Sequence, residues 1–230
     1  MPDGTSFAYA LIAGMLPSFI WLLFWLREDA HPEPRWLLLA SFFGGFAAVI
    51  VAIFLEKFIA DTVADGSMRY MLWALVEESL KLLAVIAIAL NTAYNDEPID
   101  AMVYAIVVAL GFAALENTLF VMSPISNGQV AMSIVSDNMR FIGATLVHIV
   151  SSASVGFAMG MTFYRGRIAK FFAALAGLAV AVALHTSFNV AIVSSSEWTN
   201  TLGTFAWFWG AVVILLVLFE EVKAVRPKFG

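Results

Sequence analysis

Long apolar runs separated by short polar breaks dominate this chain. Apolar stretches of membrane-spanning length cover residues 7–26, 36–58, 70–90, 99–122, 138–164, 168–193 and 204–219. About 20 apolar residues in a helix rising 1.5 Å per residue cross a bilayer core. The pattern therefore predicts an all-α, polytopic transmembrane helix bundle of about seven spans. The breaks are equally legible. Arg27-Glu28-Asp29-Ala30-His31-Pro32-Glu33-Pro34-Arg35 combines two prolines with mixed charges and reads as a loop. Residues 61–68 are a short polar connection, and 91–98 are a polar turn in which Pro98 suits the first turn of the next helix. Residues 123–137, rich in Ser, Asn and Gly, read as the longest loop, and Arg165-Gly166-Arg167 as a tight one. Gly44-Gly45, and the stripe Ser151, Ser152, Ser154, Gly156 and Gly160, offer small surfaces where helices can approach closely.

Composition supports the same class. Of 230 residues, 62% are hydrophobic and 13% charged, with a mean hydropathy of +0.90. Soluble domains are about half apolar and a quarter charged, so this is an integral membrane protein. The net charge of −5 comes without a Lys/Arg cluster, which argues against a nucleic-acid partner. The absence of cysteine excludes disulfides, thiolate nucleophiles and Cys-ligated metals. The first span lacks a basic start and a small-residue cleavage site, and is expected to be retained. Arg27, Arg35, Arg165, Arg167, Lys170, Lys223, Arg226 and Lys228 fall on one side; Lys57, Arg69 and Arg140 fall on the other. The positive-inside rule then sets the N-terminus outside and the C-terminus in the cytoplasm of a multi-pass cell-membrane protein. Residues 1–230 read as one membrane domain, with a catalytic-type core at 69–193 and peripheral spans at 7–58 and 204–222.

The third span contains Glu77-Glu78-Ser79-Leu80-Lys81, and charges near the centre of a span cost roughly 2.5–3.5 kcal/mol each before pairing. Glu77 and Lys81 are i,i+4 neighbours, and Glu78 and Lys81 are i,i+3, so one ammonium can meet both acids. Lys81 holds at least one of them ionised. The other then lies beside a like charge in low dielectric, a setting for a general base or a metal ligand. Depth adds a further test. At the helical rise, Glu77 and Glu78 lie roughly 12–14 Å below the outer face, with His148 and His185 at a similar depth and Glu116 about 9 Å below it. Two His with two or three Glu make a complete zinc ligand set with one open position; without a metal, a Glu base with a His partner can activate water. Asn189, one turn beyond His185, is positioned to donate to an oxyanion, while Asn117 orients a neighbour. Asp100 and Arg140 lie near span ends, where a supporting role fits better. A structural salt bridge, packed bundle histidines, a non-catalytic scaffold binding partner helices and a proton relay in a transporter are the competing readings.

These residues carry a resemblance. Glu77-Glu78-Ser79-Leu80-Lys81, then Asp100, Tyr104 and Gly111-Phe112-Ala113-Ala114-Leu115-Glu116-Asn117, then Arg140 and His148, and finally His185-Thr186-Ser187-Phe188-Asn189 are similar in order and spacing to the PrsW-type intramembrane endopeptidases. The resemblance covers residues 69–193. That family resembles, more distantly, the CAAX prenyl endopeptidases and the multipass scaffold subunit of gamma-secretase. In the CAAX enzymes an F-xxx-H motif stands where this chain has Phe112 and Glu116. The resemblance implies an intramembrane peptidase cutting a single-span, membrane-anchored protein near the extracytoplasmic side, as in anti-sigma-factor proteolysis. It also implies metallopeptidase chemistry. The expected site has Glu77, Glu78 and Asn189 as catalytic residues and Glu78, Glu116, His148 and His185 as zinc ligands, with Lys81, Asn117, Arg140 and Asp100 in support.

Overall fold

The computed structural model describes residues 4–28, 31–126, 130–194 and 198–227; the side chains of 4–6, 123–126, 130–142 and 198–202 and a few single positions fall outside that description. The described residues form α1 (Gly4–Glu28), α2 (Arg35–Thr62), α3 (Ser67–Val85), a π-helical turn (Ile86–Leu90), α4 (Asp100–Ser126), α5 (Val130–Met161), α6 (Arg167–Ser194) and α7 (Trp198–Lys223), with no strand among them. Helices at Ala10–Arg27, Arg35–Thr62, Asp100–Met122, Gly143–Met161 and Arg167–Val193 are long and apolar enough to cross a membrane. The chain is a membrane protein. α3 stands apart from these five because Arg69, Glu77, Glu78 and Lys81 all lie in its 19 residues.

One predicted break is helical on both sides of residues 127–129, which lie outside the described residues. Residues 123–126 continue α4, and α5 begins at Val130 rather than near 138. At 32 residues, α5 is about 48 Å long at the helical rise and outruns a bilayer core of about 30 Å. Its polar first turns are compatible with a helix continuing past the hydrocarbon. A Ser- and Asn-rich composition signals the end of the apolar layer there, and not the end of the helix.

α4 is the centre of the bundle. Residues 101–114 are buried without interruption, as expected for a helix apolar on every side. Met102, Ile106 and Leu110 meet Leu146, Ile149 and Ala153 of α5 and Val212, Leu215 and Phe219 of α7 in one core. α1, α2 and α3 pack on the other sides of α4, and α6 closes against α3 and α5. Ile50, Phe54 and Phe58 of α2 and Phe171, Phe172 and Leu175 of α6 are exposed, which is ordinary for surfaces that face lipid.

Two glycines set the α2–α4 crossing. A Cβ on Gly111 would run into the Phe42 carbonyl, and one on Gly45 into the Val108 carbonyl and the Phe112 amide. The backbones therefore meet with no side chain between them, as small residues permit in membrane bundles. α2 and α3 form a clamped hairpin. The Arg69 guanidinium donates to the Ala60 and Val63 carbonyls at the end of α2 and pairs with Asp65, where a cation complements the helix dipole. Trp73 Nε1 donates to the Glu56 carbonyl at 3.1 Å. At the other end of the bundle, Asp100 Oδ2 accepts the Asp96 and Glu97 amides at 2.8 and 2.7 Å, capping α4, and Tyr104 donates to Glu33.

Gly111→Leu should force α2 away from α4. A loss of about 1–3 kcal/mol is expected from overpacking, read as a lower thermal midpoint in detergent. Gly166→Leu, at a glycine with open space around it, should leave the midpoint unchanged.

Candidate active site

α3 buries one stripe, Ala74, Glu77, Glu78, Lys81 and Val85, the spacing of a single helix face. Lys81 is 1% exposed and organises what surrounds it. Its Nζ lies 2.7 Å from Glu78 Oε1, 2.7 Å from His148 Nδ1 and 3.9 Å from Glu77 Oε2, and 4.4 Å from the centre of the Phe112 ring. An ammonium can only donate, so His148 Nδ1 accepts, and the ring proton on Nε2 goes to Glu116 Oε2 at 2.6 Å.

Glu78 is saturated. Its Oε1 accepts from Lys81 and from His185 Nδ1 at 2.8 Å, and its Oε2 accepts from Ser152 Oγ at 2.9 Å. A carboxylate on one imidazole nitrogen fixes the tautomer and leaves the other nitrogen as a lone pair. That lone pair, His185 Nε2, faces Glu77 Oε2 at 3.8 Å. Glu77 Oε2 is buried and has no hydrogen-bond partner. An orphaned buried acceptor costs about 1–3 kcal/mol, and more when charged. The Lys81 ammonium at 3.9 Å offsets part of that cost, while the imidazole nitrogens nearest the oxygen, His148 Nδ1 and His185 Nε2, turn lone pairs toward it, an arrangement that a bound cation would satisfy.

This donor set suits a metal. Glu77, His148 and His185 each offer a ligand atom, all within 4.8 Å of one another, and mixed His/carboxylate sets of this kind hold zinc. Glu78 then stands behind His185 as the group that orients it. The His148 nitrogen nearer Glu77 is the one Lys81 engages, so an ion and the ammonium compete for it.

The cluster opens into a cavity of about 200 Å³ lined by Glu56, Tyr70 and Trp73 of the α2–α3 hairpin, Glu116, Asn117 and Phe120 of α4, His148 of α5, and His185, Asn189 and Ile192 of α6. These residues lead from the cluster to the N-terminal end of α3 and the C-terminal ends of α4 and α6, the end opposite the arginine-rich loops.

Glu77, Glu78, Lys81, Glu116, His148 and His185 thus meet in one cluster, and Asn189 lines its cavity. Asn117 also lines it while its Nδ2 donates to Thr145 Oγ1 at 3.0 Å, tying α4 to α5. Asp100 is far away, about 24 Å along α4 from Glu116 at the helical rise, and serves the cap described above. The side chain of Arg140 lies outside the described residues. Two participants escaped the sequence reading. Ser152 reads there as a packing position, yet it binds Glu78. Glu56 lines the same cavity as Glu77; its signal was a carboxylate within an apolar span, masked by the adjacent Lys57 and the nearby span end.

Removing Lys81 should strand Glu78. Lys81→Met is expected to destabilise the protein by about 3–5 kcal/mol, the cost of an uncompensated buried charge. The double variant Lys81→Met/Glu78→Gln should recover part of that loss, measured by denaturation in detergent.

Residues 33–219 match the family model described as PrsW family intramembrane metalloprotease. Protease PrsW of Bacillus subtilis (strain 168) is 27% identical over 210 residues, covering 88% of this chain and 93% of that protein. Protease PrsW of Geobacillus kaustophilus (strain HTA426) is 26% identical over 207 residues, covering 87% and 88%. Protease PrsW of Clostridioides difficile (strain 630) is 24% identical over 193 residues, covering 78% of each. No solved structure matches the chain. With a family model spanning most of its length and a carboxylate–histidine cluster buried among membrane helices, the chain belongs to the PrsW family of intramembrane proteases.

Proposed function

We propose that this protein is a zinc-dependent endopeptidase that cuts a single-span, membrane-anchored protein near the extracytoplasmic face, of the kind exemplified by anti-sigma factors. The observation that carries this reading is the partnerless Glu77 oxygen facing two imidazoles at the head of a polar cavity. The positive-inside rule supports the side, since the cavity lies at the end remote from most Lys and Arg residues.

Glu77, His148 and His185 would hold the ion. Zinc bound there supplies polarisation of the scissile carbonyl and a water acidified toward neutral pH. The protein supplies the rest. Glu78 holds the His185 ring by its Nδ1 hydrogen bond, and Lys81 and Ser152 hold Glu78. Glu116, whose side chain is 41% exposed, is the carboxylate that takes the proton from the attacking water. The water oxygen adds to the scissile carbonyl carbon while that carbonyl oxygen gains charge, and the Asn189 amide on the cavity wall donates to it. The C–N bond then breaks as the proton passes from Glu116 to the departing amine. Tyr70, Trp73 and Phe120 give the cavity an aromatic rim against which an extended peptide can lie.

Zinc content of the detergent-purified protein should approach one ion per chain and fall in Glu77→Gln and in His185→Ala. Cleavage of a single-span reporter should stop on chelation and return with zinc. Glu116→Gln should retain zinc yet lose roughly 10²–10⁴-fold in cleavage rate, the usual share of a general base. Metal-free protein that still cuts would overturn the zinc assignment and leave the acids and histidines to activate water directly. A folded protein that cuts no membrane-anchored substrate would favour a scaffold that binds partner helices.

A further inference from the structure

A second cleft lies at the end of the bundle opposite the cavity. It measures about 370 Å³ and is lined by His31, Glu97, Pro98, Ile99, Tyr164, Lys223 and Arg226. Its walls come from the segment before α2, the turn before α4, the end of α5 and the end of α7. A close approach builds it. A Cβ on Gly160 would run into the Pro98 carbonyl and lie 2.7 Å from Val222 Cγ1, so α5 ends pressed between that turn and α7. Pro98 and Ile99 form a buried apolar floor, while Tyr164 and Arg226 stand exposed on the rim.

The rim is cationic and partly pre-set. His31 Nδ1 lies 2.8 Å from the Glu97 carboxylate, which gives that carboxylate a partner away from the two permanent cations of the lining, Lys223 and Arg226. Arg226 Nη1 donates to the Lys223 and Val225 carbonyls at 2.8 and 3.2 Å. Those bonds hold the guanidinium in place while leaving Nε and Nη2 for a bidentate anion. Lys223 lies 4.8 Å from the centre of the Phe219 ring and pairs with Glu220, whose side chain is 65% exposed. An ion pair so open to water contributes little, and a phosphate can replace it at small cost.

We infer that this cleft binds the phosphodiester of an anionic phospholipid: Lys223 and Arg226 take the phosphate, Tyr164 donates to it, and the Pro98–Ile99 floor receives the glycerol. The setting favours a lipid over a free anion. The cleft lies at the arginine-rich ends of membrane-crossing helices, and basic pockets between such helices on the cytoplasmic side take headgroups. A zwitterionic headgroup would bring its own cation against Lys223 and Arg226, so phosphatidylglycerol should be preferred to phosphatidylcholine.

The test is native mass spectrometry of the full-length protein released from micelles doped with either lipid, with inorganic phosphate in a separate arm. One phosphatidylglycerol should be retained per chain, and phosphatidylcholine should not. Lys223→Gln/Arg226→Gln should weaken retention by about tenfold or more, at about fivefold per basic residue near a membrane surface. Arg165→Gln/Arg167→Gln, on the same end but outside the cleft lining, should leave it unchanged. Thermal midpoints measured without the lipid verify that both variants fold. Equal retention of the two lipids would overturn the proposal, as would loss in the Arg165/Arg167 variant equal to that in the cleft variant. Occupancy by inorganic phosphate without phosphatidylglycerol would overturn it as well.

Discussion

A lysine ammonium sealed among helices is the constraint on which the rest of this structure depends. With almost no access to water, Lys81 must find acceptors from protein, and it finds them on two helices: Glu78 one turn earlier and His148 across on α5. Its third face lies over the Phe112 ring of α4, where a cation is attracted to the π surface. Each of these contacts fixes something else. Glu78, held by Lys81 and Ser152, orients His185; His148, whose Nδ1 is taken, presents its other nitrogen to Glu116. The result is a shell of committed groups around two atoms left without a hydrogen bond, Glu77 Oε2 and His185 Nε2.

The packing that holds this shell is of a different kind. α4 is enclosed on all sides, and its glycine contact with α2 brings the two backbones together immediately before Phe112. The same helix carries Glu116 and Asn117 one to two turns further on, as its burial gives way to the cavity. A rigid apolar rod thus ends in polar groups whose positions are set by contacts several turns away. A functional group on a helix with this much burial has little freedom to wander.

Much of this was legible in the chain. Seven apolar runs correspond to seven α-helices among the described residues, and equal depths for Glu77, Glu78, His148 and His185 correspond to one cluster. Helical rise converts sequence position into height reliably, but it gives no azimuth. Glu77 and Glu78 differ by one residue, about 100° around α3, and sequence alone does not say which of the two Lys81 engages fully. Cross-helix hydrogen bonds from Ser152 and His185 decide it, and these depend on the rotation of α5 and α6. Glu56 was hidden for a related reason: near the end of an apolar run, beside Lys57, a carboxylate looks interfacial until the partner helix is known. Residues 123–126 and 130–137 are helical where a loop was expected, and 127–129 lie outside the described residues; polarity marks the edge of the lipid layer, whereas helix ends follow backbone hydrogen bonding.

The α2–α3 hairpin has a consequence for how the chain comes to reside in the membrane. α3 bears the catalytic-type acids and is too polar to partition well as a solitary helix. Its neighbour α2 is the opposite, long and apolar, and is tied to it by the Arg69 clamp and the Trp73 bond. Residence of α3 in lipid therefore draws on its companions: α2 supplies hydrophobic mass, and the later helices supply His148 and His185 as hydrogen-bond partners for its polar face. Insertion of this polar helix and assembly of the buried carboxylate–histidine cluster become, on this architecture, a single thermodynamic event.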